Sequence, residues 1–246
     1  TALFQLGTFA FLSLPLAISV ALSCSLSLSQ ATPIATTTGI VADRSAEVAE
    51  VKELPLSELS TEAASYLASR EGARGVAVVV PEKNIIFTSN GDSLFHTASV
   101  FKVVIMAAVM DAAFAEEREL TPEELMLLDP MITLSDNDSA TLLWFHLGGA
   151  SGIQEFLDRR GVRGLYPDPD DYWGASLASP KGLAGLVSRI VWGDMLDPIA
   201  RERALQYLEE VVTDQAWSLT AALPKSIRRE HRLRKKDGWY PEEHDC

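Results

Sequence analysis

Residues 98–114 read ASVFKVVIMAAVMDAAF, and between Asp92 and Asp111 the only formally charged side chain is Lys102. A stretch that is apolar nearly all round is the signature of a helix buried on every face. The pattern predicts a long helix from Ala98 to about Phe114. A lysine inside such a helix is costly unless it is paired or neutral, because burial disfavours the charged amine. Ser99 precedes Lys102 by three residues and shares its helix face. It also falls in the first turn, where free backbone N–H groups and the positive dipole end favour a developing oxyanion. A desolvated lysine with a lowered pKa can take the proton of a serine hydroxyl, which is a weak nucleophile without a base. The plainer alternative is a helix-start serine followed by a lysine whose amine reaches out to water. Ser-x-x-Lys alone does not decide, since a chain of this length and average composition contains about one by chance.

Two more short motifs extend the reading. Ser135-Asp136-Asn137 follows the apolar run Met131-Ile132-Thr133-Leu134. Ser135 with Asp138 three places on also fits a capping box opening the helix SATLLWFHL, so a helix cap and an exposed polar cluster both stand. Lys236-Asp237-Gly238-Trp239 lies on a candidate late strand, Leu233–Tyr240. Its glycine permits close approach of another backbone or a ligand, and the Trp239 N–H is available to a site. The competing reading is a charged edge strand that discourages aggregation. Seven basic residues fall in the twelve from Lys225 to Lys236, a concentration that suits a solvated face and would also draw a carboxylate-bearing substrate.

Around these motifs the periodicity predicts a helix over Leu56–Arg70 and strands at Gly75–Val80 and Asn84–Thr88, joined by Pro81-Glu82-Lys83 as a hairpin. Further helices are predicted at Thr121–Leu128, Asp138–Leu147, Gly152–Arg159, Ser179–Trp192 and Pro198–Thr213. Two strands, many helices, then a strand describe an α+β domain with a helical block inserted between parts of a sheet.

The chain has 246 residues, 47% of them hydrophobic, enough to bury a real core. Its net charge of −13 argues against nucleic acid as a partner. Cys24 and Cys246 imply no disulfide framework. The four histidines, His96, His146, His231 and His244, lack metal-ligand spacing, so no metal and no organic cofactor is expected. A Ser-His-Asp hydrolase elbow is missing too, the nearest approach being Gly174-Ala175-Ser176-Leu177-Ala178.

No charged residue precedes Asp43, and Phe9–Leu28 is mostly apolar. A stretch of about 20 such residues reads as a secretory signal or membrane anchor. Ser29-Gln30-Ala31 fits a cleavage site, and Ala21-Leu22-Ser23-Cys24 loosely fits a lipidation site. Cleaved and anchored forms both stand. The organisation expected is 1–31, signal peptide or membrane anchor; 32–53, linker; 54–246, the folded domain of an extracytoplasmic monomer.

Taken in order, Ser99-x-x-Lys102, Ser135-Asp136-Asn137 and Lys236-Asp237-Gly238 resemble the motif set of class A β-lactamases and penicillin-binding proteins. Phe95-His96-Thr97-Ala98, Trp173-Gly174 and the helix start Ser179-Pro180 are similar to actinobacterial-type serine hydrolases of this superfamily. The resemblance implies a five-stranded antiparallel sheet, an all-helical subdomain and a site at their junction. It implies Ser99 as the acylated nucleophile, Lys102 as its base and Ser135 as the shuttle to the leaving nitrogen. Asn137 would hold the substrate's side-chain amide, and Lys236 its carboxylate. The N–H groups of Ser99 and Trp239, beside Gly238, would form the oxyanion hole, at about 3–4 kcal/mol per donor. The substrates implied are β-lactams or peptidoglycan peptides, and a non-catalytic binding homologue is a further reading.

Four departures accompany the resemblance. Asp237 stands where a threonine or serine is usual. The stretch Gly161–Ser179 holds no glutamate to activate a deacylating water, leaving Asp168, Asp170 or Asp171 as substitutes. The gap from Lys102 to Ser135 is short, and the family continues beyond the third motif with a further strand and a helix, so C-terminal strands are expected to be missing.

Overall fold

The strand Ala73–Val80 shows how the core is divided. Val76, Val78 and Val80 pack on one face of the sheet and Ala77 on the other, as a period of two requires. The computed structural model describes residues 4–12, 18–24, 51–70, 72–215 and 233–240. Strands β1 (Phe4–Leu12), β2 (Ile18–Cys24), β3 (Lys52–Pro55), β4 (Ala73–Val80), β5 (Ile85–Ser89) and β9 (Leu233–Tyr240) form one sheet, in the order β3-β5-β4-β2-β1-β9. Its pairs are antiparallel except β3 with β5. Short strands β6 (Phe95–His96), β7 (Leu165–Tyr166) and β8 (Leu177–Ala178) make a second, three-stranded sheet, ordered β6-β8-β7.

On one face of the large sheet, α1 (Leu56–Leu59) and α2 (Thr61–Ala68) cover Val76, Val78, Val80 and Phe87. The single helix predicted over Leu56–Arg70 is broken at Ser60, whose extended backbone lets its hydroxyl accept the Ala63 N–H at 3.1 Å. On the other face lies the helical body: α3 (Lys102–Ala115), α4 (Pro122–Thr133), α5 (Asn137–His146), α6 (Gly149–Arg159), α7 (Pro180–Val191) and α8 (Pro198–Glu209). The α+β class with an inserted helical block is what the structure shows.

Helix α3 is the axis of that body. Val103 to Met110 are all buried, packed among Trp144, Phe156, Leu157 and Leu183. Each large side chain there contributes about 1.5–3 kcal/mol of burial. Asp111, the second charge of the opening stretch, is buried too and held by Arg159 at 2.7 Å and Arg160 at 3.5 Å.

The N-terminus takes a place in the fold that its sequence alone does not suggest. Phe9–Leu28, expected as an export segment outside the domain, overlaps β1 and β2, which lie inside the large sheet. β2 pairs with β4 from Ile18↔Val79 to Cys24↔Ala73, and β1 pairs with β9 from Phe4↔Tyr240 to Leu12↔Leu233. The physical reason is that a strand paired on both sides can carry an apolar run without alternation, and such a run reads like a membrane span. β3 places Lys52 and Glu53 in the sheet beside β5. Most of the linker, residues 32–50, lies outside the described residues, as do 25–31 and 216–232, which hold the first part of the basic run. Lys235 and Lys236, at the end of that run, are buried rather than solvated.

β1 and β2 stand between β4 and β9. Removing residues 1–24 from the full chain is therefore expected to abolish the cooperative thermal transition of the domain, read by near-UV circular dichroism. A shortened chain melting like the whole protein would contradict this sheet order.

Candidate active site

Two left-handed residues shape the site. Ala98 (φ 44°) turns the chain from β6 into a single 3₁₀ turn, Ala98–Phe101, that runs into α3. This turn places Ser99 at a half-buried position ahead of the helix proper. Ser135 (φ 58°) follows the end of α4, in the conformation that glycine or asparagine commonly adopts just past a helix. A left-handed non-glycine residue costs roughly 1–2 kcal/mol, and such strain gathers at functional sites.

The capping reading of Ser135 is corrected here. The N-cap of α5 is Asp136, whose carboxylate accepts the Ser139 N–H at 2.7 Å. Hydrogen bonds from Ser139 hold the Asp136 carboxyl below the usual carboxylate range, and the nearby Lys102 amine reinforces this. With the cap supplied by its neighbour, the Ser135 hydroxyl faces the two lysines.

Lys102 is fully buried and joins every part of the site. Its Nζ lies 3.1 Å from the Ser99 hydroxyl, 3.1 Å from the Ser135 hydroxyl, 2.5 Å from the Ser135 carbonyl and 2.7 Å from Asn137 Oδ1. The Trp173 ring covers the amine, with its centroid 4.9 Å from Nζ. Desolvation by burial lowers the Lys102 pKa to about 7 against the partial opposition of the Asp136 charge. The opening alternative, a lysine reaching to water, does not describe this side chain.

Lys236 comes from β9. Its amine, also fully buried, donates to Ser135 Oγ at 2.8 Å and to the Asp237 carbonyl at 2.9 Å. Burial and the adjacent Lys102 charge pull its pKa well below the ordinary lysine value, while the Asp237 charge opposes them. Asp237 is itself buried, so its carboxylate acts on Lys235 and Lys236 rather than facing a ligand.

Gly238 shows why β9 fits. A Cβ there would lie 2.7 Å from the Thr97 carbonyl, 2.8 Å from the Val100 nitrogen and 2.9 Å from the Ser99 nitrogen. These are backbone atoms that cannot step aside, so only glycine lets β9 press against the Ser99 turn. Trp239 follows it, half-buried. Of the residues singled out in the sequence, Ser99, Lys102, Ser135, Asn137 and Lys236 form one hydrogen-bonded cluster, and Gly238 lies against its serine turn.

The acidic loop serves other ends. Asp168 accepts the Tyr172 N–H at 3.1 Å, and Asp171 accepts the Trp144 indole N–H at 3.1 Å and the Ala150 N–H at 2.7 Å. Asp170 is exposed. Among the described residues no carboxylate is hydrogen-bonded to Lys102 or Ser99. The residue this loop brings to the lysine is Trp173, which the sequence reading noted with Gly174 but did not place in the site.

A sequence model of the Beta-lactamase enzyme family matches residues 58–130 and 123–245. The chain belongs to that family. A class A β-lactamase of the last common ancestor of Gram-negative bacteria (GNCA4) is 25% identical to it, with a TM-score of 0.57 over 68% of this chain and 76% of that one. The β-lactamase of Desulfarculus baarsii shares the fold at 18% identity, with a TM-score of 0.59 over 70% of this chain and 76% of that one. "Putative lipoprotein LppW" of Mycobacterium tuberculosis is 31% identical over 96 residues, 39% of this chain. The chain spans about a third of that relative's length, 31%.

Two outcomes follow for this β-lactamase-family site. Side-chain NMR of labelled lysine is expected to show Lys102 deprotonating at about pH 7 rather than near 10.5, and a midpoint above about 9 would remove it as a base. Gly238→Ala is expected to push β9 off the Ser99 turn and to cost about 1–3 kcal/mol of stability through overpacking, read from a denaturant melt.

Proposed function

We propose that the protein is an exported serine hydrolase that is acylated on Ser99 by β-lactams or related amides. The observation that carries this reading is the position of the Lys102 amine, 3.1 Å from both serine hydroxyls. A base at this distance from a nucleophile is within reach of its proton. The neutral amine takes the Ser99 proton as Oγ bonds to the substrate carbonyl carbon. The oxyanion that forms is met by the N–H groups of Ser99 and Trp239, in a site partly shielded from water. Ser135 then relays a proton to the leaving nitrogen as the C–N bond breaks, with Lys236 steadying its hydroxyl at 2.8 Å. Lys236 also serves the substrate carboxylate, and an anion there raises its readiness to hold a proton. Asn137, exposed beside the cluster, receives the substrate's side-chain amide.

A second reading is a D-alanyl-D-alanine carboxypeptidase acting on peptidoglycan peptides. It is favoured by the lack, among the described residues, of a carboxylate bonded to Ser99 or Lys102. An extracytoplasmic location is supported by the name of the mycobacterial relative, a putative lipoprotein.

Intact-mass spectrometry of the full chain mixed with benzylpenicillin is the test. An adduct is expected, lost in Ser99→Ala and kept in Ser176→Ala, since Ser176 is fully buried and its hydroxyl accepts the Asp168 N–H. An adduct surviving Ser99→Ala would refute the assignment, and no reaction with penicillin or a D-Ala-D-Ala peptide would point to a binding protein.

A further inference from the structure

An ester on Ser99 is released only when water reaches its carbonyl and a base takes the water's proton. The base on this site is Lys102, so what surrounds its amine decides how water can be activated. Four oxygen acceptors ring Nζ: Ser99 Oγ, the Ser135 carbonyl, Ser135 Oγ and Asn137 Oδ1. The indole of Trp173 lies over the same atom at 4.9 Å. That ring is buried, and its N–H is tied to the Thr141 hydroxyl at 3.1 Å, so it is held in place from α5. The loop's own carboxylates are turned away: Asp168 binds the Tyr172 N–H and Asp171 the Trp144 and Ala150 N–H groups.

We propose that Trp173 is a positioning residue that seals the Lys102 amine from water, making release of the acyl group the slow step and letting acyl-Ser99 accumulate. The inference rests on the acylation proposed above. It takes the site from hydrolysis toward lasting capture of its substrate. In the release step the water oxygen bonds to the acyl carbon and the C–Oγ bond breaks. One water proton passes to the Lys102 amine and from there to Ser99 Oγ. An apolar ring face over the amine offers water no hydrogen-bond partner at the atom that must take this proton. The same ring keeps the amine desolvated, which sustains its use as a base during acylation.

The test follows the lifetime of the benzylpenicillin adduct by intact mass after excess drug is removed, in the full chain. Trp173→Ala is expected to shorten that lifetime at least about 10-fold while acylation persists. It should also move the pH midpoint of acylation above about 7 as water returns to Lys102. Thr141→Val, a milder change that frees the indole while leaving the core intact, should shorten the lifetime about 3-fold. A ring that only supports the loop would slow acylation without hastening release. Adduct lifetimes in both variants equal to the wild type would overturn the inference, as would a wild type that liberates product as fast as it is acylated. A wild type giving neither adduct nor product would instead sink the acylation reading, and this inference with it.

Discussion

A primary amine shut away from water is the constraint to which the rest of this structure answers. Lys102 has no exposed surface, and an ion so placed costs several kcal/mol unless its surroundings replace the lost hydration. Each neighbouring element contributes part of that replacement. The 3₁₀ turn before α3 supplies the Ser99 hydroxyl, the link between α4 and α5 supplies a carbonyl, a hydroxyl and an amide oxygen, and the loop before β8 supplies a ring face. The replacement is incomplete by design of the geometry, so the proton is held loosely, near neutrality. A fully compensated ammonium would be a structural ion; this amine is placed so that it can serve as a base.

The second lysine is held to the first through a single hydroxyl. Ser135 Oγ stands between Lys102 and Lys236, and two buried amines this close disfavour being charged together. An anion entering beside them would offset that repulsion. The left-handed backbone at Ser135 and the cap at Asp136 are parts of one device. Because the neighbouring aspartate closes the helix, the serine is released from a task its sequence position suits it for. Glycine at 238 completes the device from the opposite side by letting a strand lie against the serine turn.

Much of this was legible in the amino-acid sequence because the relevant signals are local. The α3 stretch has one charge in an apolar run, and helical spacing alone puts Ser99 and Lys102 together. The strand Leu233–Tyr240 matches its expected bounds for the same reason. Ser135 was ambiguous because the choice between it and Asp136 as the cap depends on where α4 stops. That helix runs on to Thr133 with Pro130 inside it, beyond the predicted end at Leu128. The role of Trp173 beside Lys102 is not legible in the sequence because its partner belongs to a distant element, and nothing in its neighbours marks a ring lying over an amine. The N-terminal apolar run is ambiguous for a deeper reason. Apolar runs of this kind satisfy equally a bilayer and the middle of a sheet, and only long-range pairing distinguishes them.

That pairing has a consequence in time. Phe4 lies opposite Tyr240, so β1 is partnered by a strand far along the chain from it. Contacts of such wide sequence separation form slowly, because the whole intervening chain must be gathered before they are gained. During synthesis the β1–β2 pair is therefore an apolar edge still lacking its β9 neighbour, open to capture by a translocation channel or a lipid surface. Its fate, sheet or membrane, becomes a race between completion of the chain and the first competitor to reach it.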